Sequence, residues 1–195
     1  MRTSVFGFVL TVAALLSASF SAWGQARSSG SPSGLDVAFT YNPMLANVTT
    51  SNQFWLQGGS AQVHDQLWRG FGIAGNVIGL HTANMNNSGV GLDLIAYTAG
   101  LRYTWAPASG RLGIFGEALG GDAHGSNSIF PNGSKINTSG NSLAMQIGGG
   151  INVPVSRHLM MRAIEADWLR TQLPNATTGI QNNLRLGAGI LYRFR

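Results

Sequence analysis

The sequence predicts an all-β fold, an eight-stranded antiparallel up-and-down β-barrel of the transmembrane type. Three observations carry it: apolar residues recur at every second position over long stretches, the segments between those stretches alternate long and short, and charge is scarce. Of the 195 residues 10% are charged and 44% apolar, and 27 are glycine, whereas soluble domains average about 25% charged residues. So little charge with so much glycine fits neither a charged disordered segment nor a helical bundle. The absence of cysteine excludes a disulfide scaffold, a cysteine zinc site and thiol catalysis.

The N-terminus reads as a targeting segment. Met1-Arg2-Thr3 supplies a positive start, Val5 to Leu16 is almost wholly apolar, and Ser17 to Ala26 is small and polar, ending Gly24-Gln25-Ala26. That order is a secretory signal peptide over 1–26, cut after Ala26, with 27–195 as the barrel domain. Its apolar stretch is well short of the roughly 20 residues a spanning helix needs.

Eight strands follow. The first, about 35–42, sets Leu35, Val37, Phe39 and Tyr41 against Asp36, Ala38, Thr40 and Asn42, the period of two that defines a strand. The second, 53–63, alternates poorly through Leu56-Gln57-Gly58-Gly59-Ser60, which predicts a bulge near its glycines. The third, 69–82, contains Gly70, Gly72 and Gly75 at the spacing of a dinucleotide-binding loop. Such a loop must join a strand to a helix, and these glycines lie inside a strand, so no cofactor is expected. The fourth and fifth run over 91–105 and 111–123. The sixth, 141–153, carries Leu143, Met145, Ile147, Ile151 and Val153 on one phase, the seventh covers 158–172, and the eighth, 182–194, alternates from Leu184 to Phe194. Strands of about ten residues, tilted about 45°, cross a band roughly 25 Å tall.

The connections 43–52, 83–90, 124–140 and 173–181 are long; 64–68, 106–110 and 154–157 are short. All the long ones therefore fall at one end, as in outer membrane barrels with external loops and periplasmic turns. Aromatics form two groups, Tyr41, Trp55 and Trp168 toward the long-loop end and Trp68, Tyr103, Trp105, Tyr192 and Phe194 toward the short-turn end. Girdles of this kind mark two lipid interfaces.

Charge assigns the faces. A charged side chain facing lipid at mid-depth costs about 2–4 kcal/mol. In the seventh strand the phase Met160, Arg162, Ile164, Ala166 and Trp168 belongs outside, because the other phase would expose both Glu165 and Asp167. Asp36, Arg102, Glu117, Glu165, Asp167 and Arg185 then all point inward. An eight-stranded interior is just wide enough for side chains to fill, and buried charges persist only when paired. These six are expected to form an internal ion-pair network.

Gly100-Leu101-Arg102-Tyr103-Thr104, Glu165-Ala166-Asp167-Trp168-Leu169-Arg170-Thr171 and the closing strand Leu184 to Phe194 carry a resemblance. The chain resembles the small eight-stranded outer membrane β-barrel proteins of Gram-negative bacteria, the group of the OmpA transmembrane domain, OmpX and the opacity-type porins. The resemblance implies an integral outer membrane protein with long extracellular loops, acting in envelope structure or surface interaction. It further implies that the barrel-assembly machinery reads the closing strand, near whose end Phe194 stands.

No catalytic, cofactor-binding or metal-ligating set is read. His124-Gly125-Ser126 matches the His-x-Ser pair of lipid A deacylase barrels without their following glutamate, and reads as the polar start of a loop. The expected partners are outer membrane lipid and an unidentified surface ligand, with Ile129, Phe130 and Pro131 at the centre of the 124–140 loop as the candidate contact. The chain is expected to be a monomer. Nucleic acid is not a partner: the net charge is +5, but the arginines are scattered singly. The alternatives are a narrow porin-like channel, a lipid-modifying barrel enzyme and a lipocalin-like binder.

Overall fold

A strand with one apolar phase must keep that face out of water, and eight of them in succession solve this by closing into a ring. The computed structural model describes residues 34–50, 52–105, 112–132, 135–175 and 179–194. The signal segment and the short 106–110 turn lie outside the described residues. The strands are β1 (Leu35–Ala46), β2 (Phe54–Trp68), β3 (Phe71–Thr82), β4 (Leu92–Trp105), β5 (Gly113–Asn132), β6 (Lys135–Pro154), β7 (Leu159–Thr171) and β8 (Gln181–Arg193). Each pairs antiparallel with its sequence neighbour, and β8 returns to β1.

The pairing is strongly staggered. Moving from partner to partner, Leu45 leads through Leu184, Trp168, Ile147, Ala118, Leu101, Ile73 and Asp65 back to β1 at Leu35. One circuit thus descends nearly the whole of β1, the stagger that tilted strands impose on a narrow closed barrel. At the β2–β3 turn, Arg69 and Gly70 both have positive φ, 45° and 91°, which a two-residue hairpin turn of this hand requires. A Cβ on Gly70 would sit 2.5 Å from the Thr104 carbonyl oxygen, so glycine is needed there for space as well.

Three features depart from the sequence reading. The glycines of β2 pair regularly with β3, and the irregularity falls between Gln66 and Trp68. The stretch expected as a loop from His124 to Gly140 is largely strand: β5 and β6 run 20 residues each, and beyond Ser126 and Ala144 they pair only with each other. A register shift between Ser126 and Phe130, with Asn127 at φ 59°, interrupts the alternation there. That break, in a segment rich in Asn and Ser, hid the strand. In β7 the register shifts on both sides between Arg162 and Glu165. This bulge inverts the phase, so Arg162 and Glu165 both point inward.

The outer face is apolar around the ring. Phe39, Ile73, Val77, Ile95, Leu101, Ile114, Leu143, Met145, Ile147, Met161, Ile164, Leu184 and Ile190 are all exposed. Exposed Tyr41, Trp55, Tyr97 and Trp168 lie toward the long-loop end, and Trp68, Phe71, Tyr103, Trp105, Tyr192 and Phe194 toward the other.

Candidate functional site

The interior has three levels. At the short-turn end Arg193 donates from Nε and Nη2 to the two Asp36 oxygens, each at 2.8 Å. His64 Nδ1 stands 3.8 Å from the same carboxylate. Two-pronged arginine–carboxylate pairing of this kind is among the stronger polar contacts, and it ties the last residue of β8 to the second of β1 where the barrel closes.

Above it lies the main polar layer. Arg185 on β8 bonds both Glu165 and Asp167 on β7, and its Nη1 donates to Asn42 Oδ1 at 2.9 Å and to Ser60 Oγ at 3.3 Å. Arg162 donates to Glu165 at 2.7 Å, to Gln62 Oε1 at 2.8 Å and, from Nε, to Asn152 at 3.1 Å. Arg102 donates to Gln62 Oε1 at 2.6 Å and stands 3.6 Å from Glu117. Gln62 Nε2 in turn donates to both Glu117 oxygens at 3.0 Å. Gln146 also donates to Glu117, at 2.9 Å, and its oxygen accepts from Asn76 at 3.3 Å and Thr98 at 3.2 Å. The Phe115 ring lies between two cations, with the Arg102 and Arg162 guanidinium carbons 3.6 and 4.6 Å from its centroid. Arg102, Arg162 and Arg185 balance Glu117, Glu165 and Asp167, so the layer is formally neutral.

Glycine makes room for these large groups. Glu165 is flanked across the sheet by Gly150 and Gly187, and Gly148 lies between Glu117 and Asp167. A Cβ on Gly148 would fall 1.9 Å from Asp167 Oδ1, so even alanine there would displace the carboxylate.

The long-loop end is apolar. Met44, Leu56, Ile78, Leu80, Leu92, Leu94, Ala123, Phe130, Ala144, Leu169 and Leu173 form one buried cluster across it. Phe130 is 5% exposed, and its ring lies over Gly125 and Gly140, near Leu173 and Pro174. Of the three residues placed at a candidate loop contact, Phe130 therefore caps the interior, while Ile129 is exposed and Pro131 half-buried at the hairpin end.

All six residues expected inside are buried. Five join the main layer; Asp36 instead pairs with Arg193 at the short-turn end. Arg162, expected on the outer face, is 1% exposed. Gln62 and Gln146, which link the arginines to the acids, carry no charge signal that would have marked them. The carboxylates of Glu117, Glu165 and Asp167 approach one another closely enough to hold a cation, but arginines already occupy that position. His124 and Ser126 lie within β5 rather than at a loop entrance, and His124 Nδ1 contacts Asn141 Oδ1 at 2.5 Å. Among the described residues no hydrogen bond joins His124 to Ser126.

An outward apolar band over a charged, side-chain-filled interior defines the class: an eight-stranded up-and-down transmembrane β-barrel of the small, filled type. The chain is similar in structure to Ail, the attachment invasion locus protein of Yersinia pestis, with a TM-score of 0.55 and 13% identity over 83% of this chain and 99% of that one. It is similar also to Neisserial surface protein A (NspA), with a TM-score of 0.60 and 11% identity over 82% and 97%. Both are small outer membrane barrels, and at these identities the likeness is one of fold. No protein-family model matches the chain, and no curated protein sequence does.

Proposed function

We propose that the chain is an integral outer membrane protein, exported by its N-terminal segment and inserted by the barrel-assembly machinery. Its monomeric, closed barrel anchors an exposed hairpin and loops for contacts at the cell surface or support of the envelope. One observation carries this reading: the ring of apolar side chains around all eight strands, bounded by aromatics at both ends, encloses an interior sealed by its own side chains. Exposed apolar area on this scale needs lipid to cover it. In the fold neighbour Ail, named for attachment and invasion, a complex with the heparin analogue sucrose octasulfate is known; this supports surface contact as the kind of role such a barrel fills. The apolar cluster across the long-loop end argues against a water-filled conduit, and the His124 geometry argues against Ser126 as a nucleophile.

Fractionation and bilayer recording test the reading together. The protein is expected in the outer membrane fraction, with gel mobility that shifts on boiling, and to give no unitary conductance in planar bilayers. Recovery in the aqueous supernatant without detergent would contradict the membrane placement, and stable single-channel steps would replace the anchor by a pore.

A further inference from the structure

The two ends of the interior are closed differently. The long-loop end is filled by apolar side chains, whereas the short-turn end opens into a cavity of about 250 Å³ whose lining includes Asp36, Arg102, Thr104, Asn152, Arg157 and Arg193. Of the three arginines in this lining, Arg193 engages both Asp36 oxygens and Arg102 stands 3.6 Å from Glu117, so the exposed Arg157 carries the charge in excess. Arg102 is 2% exposed, and among the described residues neither its Nε nor the buried Thr104 Oγ1 has a hydrogen-bond partner. Asn152 accepts from Arg162 through its oxygen, which leaves its NH2 free to donate.

Buried donors rarely remain unpaired. The cavity thus offers an excess of positive charge and of donors, with its acceptor already taken. Water can pair with the donors but leaves the Arg157 charge at the rim uncompensated; a ligand that is negative and only accepts answers both. The volume lies below the roughly 300–1,000 Å³ of sites for drug-sized molecules, so the ligand is small. We infer that the short-turn mouth of the barrel is a binding site for a small oxyanion, phosphate or carboxylate, held by Arg102, Thr104, Asn152 and Arg157.

The inference does not depend on where the barrel resides, because the site is read in detergent micelles. The purified protein is titrated with inorganic phosphate and, separately, with succinate by isothermal titration calorimetry. Saturable one-site binding of either anion is expected, and the stronger one identifies the source, tetrahedral or planar. Thr104→Val, which removes only the hydroxyl, and Arg157→Ala, at the rim, are each expected to weaken binding roughly tenfold while the boiling-dependent gel shift persists. Absence of saturable heat from both anions, or affinities unchanged in both variants, would overturn the site and leave the cavity to water.

Discussion

Arg162 shows how much a single residue can depend on its neighbours. Strict alternation puts it in the same phase as Ile164 and Trp168, on the outer face, where a charge is costly. The bulge after it sends it inward to Glu165, Gln62 and Asn152. There it makes up the cationic half of a neutral layer, and its removal leaves three buried carboxylates against two arginines. Breaking one partner of a buried ionic set costs about 3–5 kcal/mol. Arg162→Ala is therefore expected to lower stability by about that amount in urea unfolding of the barrel in lipid vesicles, followed by tryptophan fluorescence. An unchanged midpoint would show that the layer does not depend on this arginine. Glu117, Glu165, Asp167 and Arg185 were legible from sequence because their charge forces a choice of face. Arg162 was not, since nothing in Arg162-Ala163-Ile164-Glu165 announces an extra residue. Gln62 and Gln146 were invisible for the opposite reason: an uncharged amide is acceptable on many surfaces.

Among the elements, the β5–β6 hairpin is the part that composition concealed. Its Asn, Ser and Gly content reads as loop, yet Ala123, Gly125, Ser128 and Phe130 are buried, which gives the segment an inner face. Phe130 reaches back over two glycines, and a Cβ on Gly125 would lie 2.6 Å from its ring. Side chain and missing side chain are thus matched across the hairpin. Phe→Ala substitutions in packed interiors cost about 3–5 kcal/mol, and Phe130→Ala is expected to destabilise the barrel on that scale in the same unfolding measurement, with assembly retained. Stability equal to the parent would return Phe130 to the role of an exposed contact residue. Apart from β2, which alternates poorly and runs on to Trp68 beyond the expected 63, the other strands were placed within a few residues of their ends because period-two runs fix parity. The three departures all lie at register shifts, where parity breaks.

For the whole molecule, composition and architecture say the same thing. A barrel in lipid needs an apolar outer face and few charges, and the few present are drawn inside, where glycine gives them space and arginine partners them. The interior then runs from a charged mouth, through a neutral polar layer, to an apolar cap, an arrangement that suits an anchor better than a passage. The transmembrane placement rests on the outer surface, and the chain has no cysteine, so a single introduced thiol can be labelled without background. Leu101 on β4 points outward within the apolar band and is 67% exposed; Ile136 on the hairpin is 71% exposed. A nitroxide on Leu101→Cys in reconstituted vesicles is expected to collide readily with oxygen and scarcely with a water-soluble nickel chelate, and one on Ile136→Cys to show the reverse. Free access of the chelate to the label at 101 would mean that the band faces water, and the transmembrane account would be wrong.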